Sequence, residues 1–501
     1  MKDTQIKTSP DRKSGILLHI SSLPGSEGVG TLGEEAFAFA DFLHASGFSI
    51  WQVLPMGPTG YGESPYQSTS IFAGNPTLIS LRTLRRDGLL DFSDDELPHV
   101  SDPGKVDFDS VRSAREPLLR RCYQTSYEAC HKDVEKFEAS HPWVQDYALF
   151  TSVKAHFGGI MWTQWPDQEI RNRKPSAVAA WSEKMKDEIR YHIFIQYLFD
   201  RQWTQLHDYC RKLSIRLFGD MPIYVAEDSA DTWTSPKVFQ LDRNRLPKRV
   251  AGVPPDYFSE DGQLWGNPLY RWWYLRLTGF SWWKARMRHM AQMYDIVRID
   301  HFIGFANYYS IPYGAKNARI GKWVLAPGKQ LFRALQREIP GLHIVAEDLG
   351  SVNARVRALI DETGFPGMKV LVFGFGSGEE NPHFIGNWTK HTVVYTGTHD
   401  NDTVLGYLKR ADKKEVDHAR QVLHFEKLED GPAAFVRATL ASPSDTAMIA
   451  MQDLLGLDNS ARMNMPSTVG GNWLWRLKVI PDPDAQTMYR KLNEETGRIH
   501  T

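Results

Sequence analysis

The chain has very little cysteine. Cys122, Cys130 and Cys210 are the only three in 501 residues, and no two form a Cys-x-x-Cys pair. That excludes a disulfide framework, leaves no zinc signature and fits a reducing compartment. Long apolar runs are also missing; none approaches the roughly 20 residues a membrane span needs. Neither charge sign is in excess: 59 Lys and Arg face 60 Asp and Glu, a net charge of −1. The signs are mixed along the chain, so no basic patch or tail speaks for nucleic acid. The stretch Met1-Lys-Asp-Thr-Gln-Ile-Lys7 is polar and lacks the apolar core of a signal peptide. The expectation is a cytoplasmic soluble protein with neither membrane nor nucleic acid as partner. No Gly-x-Gly-x-x-Gly follows an early strand, which speaks against a dinucleotide fold.

Flat side chains are plentiful: 16 Trp, 19 Tyr and 25 Phe. Most of them are expected to fill the core. Some tryptophans instead lie in polar Gly/Pro/Asn segments, Leu264-Trp265-Gly266-Asn267-Pro268 and Gly471-Asn472-Trp473-Leu474-Trp475-Arg476. Aromatics in such loops can stack on sugar faces while polar neighbours take the hydroxyls. Tyr61 and Trp265 read equally well as core or as sugar contacts.

Short β-branched runs alternate with amphipathic stretches. Strand-like runs begin at Gly15, Ser49, Leu217, Tyr294, His343, Met368, Thr392 and Ala447. Strands apolar on both faces and separated by helices argue for a parallel sheet covered by helices. Eight such strands predict an α/β fold, a (β/α)8 TIM barrel, as a single catalytic unit over 1–501. The spacing is uneven, which predicts a helical insertion over 56–215 between the second and third strands. A second, rich in Trp, Tyr, Pro and Gly, is expected over 226–289 as a lid-like subdomain between the third and fourth.

Carboxylates close three of the strands. Asp300 ends Tyr294-Asp-Ile-Val-Arg-Ile-Asp300, Glu347 ends His343-Ile-Val-Ala-Glu347, and Asp400 closes the run from Thr392. Asp220 lies in a fourth. A lone Asp after a strand is usually a helix cap or a surface ion-pair partner. Several converging at barrel strand tips, which face the active site, suggest glycosyl transfer. Period-two alternation puts Arg298 and Asp300 on one face, where the guanidinium keeps the carboxylate ionised, as a nucleophile must be. Glu347 follows an apolar run, which favours a raised pKa and a general acid. Spacing alone does not choose it over Asp348. His399-Asp400-Asn401-Asp402 is suited to gripping neighbouring hydroxyls. A metal site there lacks a completing ligand. His19 reads as core or as sugar ligand, and His301 as a buttress of Asp300.

The residues then support a resemblance. Segments 14–25, 51–60, 64–67, 219–223, 225–229, 252–256, 265–268, 297–302, 346–350, 366–369, 395–403, 462–464 and 471–473 resemble the amylomaltases. These are the 4-α-glucanotransferases of glycoside hydrolase family 77, here in the short form. The resemblance implies Asp300 as nucleophile, Glu347 as general acid/base and Asp400 as transition-state stabiliser. It implies Asp220, Arg298, His399 and Tyr66 around the reacting sugar, with Trp265, Asn267 and Tyr61 as further substrate-binding candidates. No metal or cofactor is implied. The implied partners are maltooligosaccharides and α-1,4-glucans, with glucose as acceptor. Ile303 and Gly376 depart from residues common in the family, Arg and Asp, which bears on chain-length preference. The competing functional readings are an α-1,4-glucan hydrolase on the same scaffold and an inactive carbohydrate-binding protein.

Overall fold

The computed structural model describes residues 12–60, 62–255, 260–350 and 352–499. Tyr61 lies outside the described residues. Eight parallel strands form the central sheet: β1 (Lys13–Leu17), β2 (Ile50–Gln52), β3 (Arg216–Met221), β6 (Ile296–Ile299), β9 (His343–Ala346), β10 (Gly367–Val370), β11 (Thr392–Tyr395) and β12 (Thr446–Ala450). Their order is β10-β11-β12-β1-β2-β3-β6-β9. The Ala346 N–H donates to the Pro366 carbonyl at 2.9 Å, which brings the two ends together and nearly closes the barrel. β2, β6 and β11 are buried at every position, as strands covered on both faces require. All eight strand runs read from the sequence are present, which is the expected (β/α)8 architecture.

Barrel register sets the heights of the polar side chains. Asp220 on β3 pairs with Arg298 on β6, and Ile299 on β6 pairs with Ala346 on β9. Asp300 and Glu347 therefore leave adjacent strands one step beyond the same pair. Gly219 is what lets β3 approach so closely, because a Cβ there would fall within the ring of Tyr294. Tyr294 is 3% exposed and has little room to move. Gly219→Ala is expected to destabilise the fold by about 1–3 kcal/mol through overpacking. Denaturant unfolding checks this, and an unchanged midpoint would refute it.

Residues 56–215 hold the long helices Phe108–Ser140, Val144–His156 and Lys186–Lys212. The following connections contain something the sequence reading does not. A second, antiparallel sheet runs β5-β4-β7-β8, from β4 (Arg249–Val253), β5 (Gln263–Pro268), β7 (Asn307–Pro312) and β8 (Lys322–Leu325). The inserted structure is thus mainly helical, as expected, with a small antiparallel sheet in addition. β4 and β5 lie in the segment expected to be a lid, but β7 and β8 come from the connection after β6. The strands are short and interrupted by Gly and Pro, and their pairing crosses a barrel strand, so local periodicity does not reveal it.

Trp51, Trp162, Trp165, Trp203, Trp233 and Trp283 are fully buried, in line with core filling. Among the described residues no helix is long and apolar enough to cross a membrane.

Candidate active site

The site grows from the tips of β3, β6, β9 and β11. Arg298 is its hub. One guanidinium nitrogen donates to both Asp220 oxygens at 2.7 and 2.8 Å. The other pairs with Asp300 Oδ1 at 2.8 Å. The expected placement of Arg298 beside Asp300 on one face is thus realised. Burial pushes the Asp220 carboxyl up, and the Arg298 charge opposes that. Tyr66 donates its hydroxyl to Asp220 Oδ2 at 2.7 Å. The chain Tyr66–Asp220–Arg298–Asp300 therefore links the loop after β2 to the end of β6 through charge-assisted hydrogen bonds.

The two carboxylates on adjacent strands differ in setting. The Asp300 side chain is 30% exposed and bound to a cation. Glu347 is buried. Its Oε1 accepts the Leu349 N–H at 2.7 Å and its Oε2 the His301 N–H at 2.6 Å. Burial raises its carboxyl to about 8; the Asp300 charge adds to this, while Arg298 and the two N–H donors oppose it. His301 makes its contact from the left-handed region, with φ 49° and ψ 47°. Such a conformation is uncommon for a residue other than glycine or Asn, and here it turns the N–H toward Glu347. The His301 ring is buried and held neutral, its pKa lowered to about 4 by desolvation. Trp265 meets that ring edge-on at 4.8 Å.

Glu347 and Asp348 turn to different partners. Asp348 Oδ1 accepts the Met368 N–H at 2.7 Å and so fastens the start of β10. Glu347 is the one linked, through the His301 N–H, to the segment that carries Asp300.

Asp400 stands on the far side, with a side chain 45% exposed. Asn464 donates to its Oδ1 at 2.7 Å, and His399 Nε2 lies 3.4 Å from the same atom. The sequence cluster around it does not act as one group. Asn401 accepts from the Thr398 N–H and hydroxyl, and Asp402 pairs with Arg462 and Arg410. Among the described residues no three His, Cys, Asp or Glu are disposed to hold a metal.

Aromatic rings wall this side. Tyr66 stacks on His399 at 5.0 Å and 17°, and Trp473 lies 6.0 Å from Tyr66 and 5.9 Å from His399. Trp473 has φ 66°, a strained setting that aims it at the site. Trp475 is instead buried, and its carbonyl accepts from the Ser22 hydroxyl. Asn267 is 5% exposed with its amide committed to the Val225 carbonyl at 3.0 Å. It supports the scaffold in this structure. His19 is buried with an unpartnered Nδ1.

Reasoning from strand tips misses Asn464 and Arg462, because both sit in a loop after the last strand. Arg462 donates to the Asp400 carbonyl at 2.7 Å. Their only signal is the Arg462-Met463-Asn464 motif.

Comparison with known proteins identifies the family. The family model described as 4-alpha-glucanotransferase matches residues 18–481. The 4-alpha-glucanotransferase of Streptococcus pneumoniae is 44% identical over 498 residues, covering 96% of this chain and 98% of the relative. That of Thermus thermophilus is also 44% identical, with 97% and 99% covered. The solved structure of amylomaltase from Streptococcus agalactiae in complex with acarbose superposes with a TM-score of 0.94 at 38% identity, covering 98% of this chain and 100% of that one. A strand-tip carboxylate set on this barrel, with a family match across nearly the whole length, places the chain in the 4-α-glucanotransferase family, glycoside hydrolase family 77.

Proposed function

We propose that this chain transfers a segment of an α-1,4-glucan to the 4-hydroxyl of an acceptor maltodextrin or glucose, by a retaining double displacement. Glu347 protonates the departing glycosidic oxygen while Asp300 attacks the anomeric carbon. The covalent glycosyl–enzyme is then opened by the acceptor 4-hydroxyl, whose proton goes to Glu347. Asp400 binds hydroxyls of the reacting sugar more tightly as its ring flattens, which is differential binding of the transition state. Tyr66 and His399 stack beneath that sugar, and Arg298 holds Asp300 in place through their ion pair.

The observation that carries this reading is the contrast between two neighbouring carboxyls: Asp300 ion-paired and open, Glu347 buried and raised to about 8. Opposed settings of this kind divide the labour between nucleophile and acid. Adjacent parallel strands lie about 4.8 Å apart. That spacing suits the roughly 5–5.5 Å between carboxyls in retaining enzymes better than the wider gap of inverting ones.

Transfer over hydrolysis requires that water be held off while an acceptor is bound. The insertion 226–289 and the segment around Trp473 are the parts of the chain assigned to that role. The test is incubation of the purified protein with maltotriose alone, with products separated by length. A ladder of longer maltodextrins together with free glucose is expected. Glucose and maltose alone would make the chain a hydrolase. No change with maltotriose or longer donors, despite binding, would leave a carbohydrate-binding protein.

A further inference from the structure

The loop that carries His399 and Asp400 runs from the end of β11 to the helix Val404–Arg410. Beneath it lies a cavity lined by Leu17, His19, Asp402, Asp453, Arg462 and Met463, among others. Polar contacts from the barrel help to fix its height.

One buried group holds both ends. Asp453, just beyond β12, is 2% exposed. Its Oδ2 accepts the Thr396 hydroxyl at 2.6 Å, at the start of the loop. Its Oδ1 accepts the Val404 N–H at 2.7 Å, at the end. Among the described residues no cation pairs with it, and desolvation raises its carboxyl to about 6. A buried acid without a counter-charge is costly, so a neutral amide would ordinarily be preferred there. Both of its neighbours are donors, however. A carboxylate accepts from both; Asn could keep the Val404 N–H on its oxygen and donate to the Thr396 hydroxyl, whereas Leu, of similar size, can bond neither.

We propose that Asp453 is a positioning residue for the transfer reaction, clamping the two ends of the 396–404 loop so that Asp400 and His399 stand at the height the transition state needs. The inference rests on the reading of Asp400 given above. Asp453 touches no substrate; it acts through Asp400. A displacement of about 1 Å at such a group lowers turnover by as much as about 100-fold.

The test uses the full chain with maltotriose, and an activated maltosyl fluoride donor where rates are low. Asp453→Leu is expected to lower kcat about 10- to 100-fold while KM stays within about twofold, since ground-state binding is untouched. In the Asp400→Asn background the same change should cost little more, because residues acting as a unit are non-additive. Thr396→Val removes one of the two clamped donors. It should reproduce part of the kcat loss, again without effect beyond Asp400→Asn, and it carries the test should Asp453→Leu fail to fold. Multiplicative losses, an unchanged kcat, or a rise in KM alone would overturn the inference. Should Asp400→Asn itself leave turnover intact, the reading of Asp400 falls instead, and the two failures are told apart.

Discussion

Asp300→Asn is expected to lower turnover on maltodextrins by about 10⁴-fold or more, the scale of removing a nucleophile from a working set. Binding of a long maltodextrin should change little. The substitution keeps the shape of the side chain, and Asp300 is partly open, so the fold does not lean on it. Arg298 would still hold Asp220 through both oxygens, which keeps the site assembled. Two measurements decide the matter, single-turnover rate and maltodextrin affinity. A retained rate would remove Asp300 from its role. A lost rate with lost affinity would make it a binding group. Chemistry offers a further check. In Asp300→Gly, azide can enter the vacated space and attack the anomeric carbon of an α-maltosyl fluoride, expelling fluoride. The β-maltosyl azide, of inverted configuration, is the expected product. Its absence, alongside normal folding and binding, would argue against attack from that side.

Much of this site was legible in the sequence because barrels tie function to strand ends. Asp300, Glu347 and Asp400 each close an apolar run, and Arg298 lies two residues from Asp300, so alternation alone places the ion pair. The eight strands were legible for the same reason: both their faces are buried and their runs stay apolar. What stayed hidden depends on distance along the chain. The antiparallel sheet joins Arg249–Val253 to Asn307–Pro312 across a barrel strand, and no window of sequence spans that pairing. Asn464 reaches Asp400 from 64 residues away. Asn401 and Asp402 look like sugar ligands in one dimension, but the turn at Thr398 and the Arg462 guanidinium draw them away from Asp400. Asn267 illustrates the opposite error: a polar residue between Trp265 and Pro268 suggests a loop, yet it sits at the end of a strand and is buried.

Glu347→Gln should lower kcat on maltodextrins by about 10²- to 10⁴-fold, the usual worth of a positioned proton donor. It should also change the shape of the pH profile. An acid raised to about 8 is protonated below that pH and lost above it. In the native protein kcat/KM is therefore expected to hold level up to about pH 8 and then fall about tenfold per unit as Glu347 ionises. Glutamine has no proton to give at any pH, so that alkaline limb disappears in the variant. The loss should shrink with maltosyl fluoride as donor, because fluoride leaves without protonation and only the second step still needs a base. The amide can accept only one of the N–H groups of His301 and Leu349, so a lowered melting temperature must be measured and set against the rate. Asp348→Asn supplies the contrast. It keeps an acceptor for the Met368 N–H but removes the charge 3.9 Å from Lys369, and should reduce stability modestly while leaving the alkaline limb where it was. An alkaline limb that persists in Glu347→Gln, or vanishes in Asp348→Asn, would transfer the acid role from one neighbour to the other.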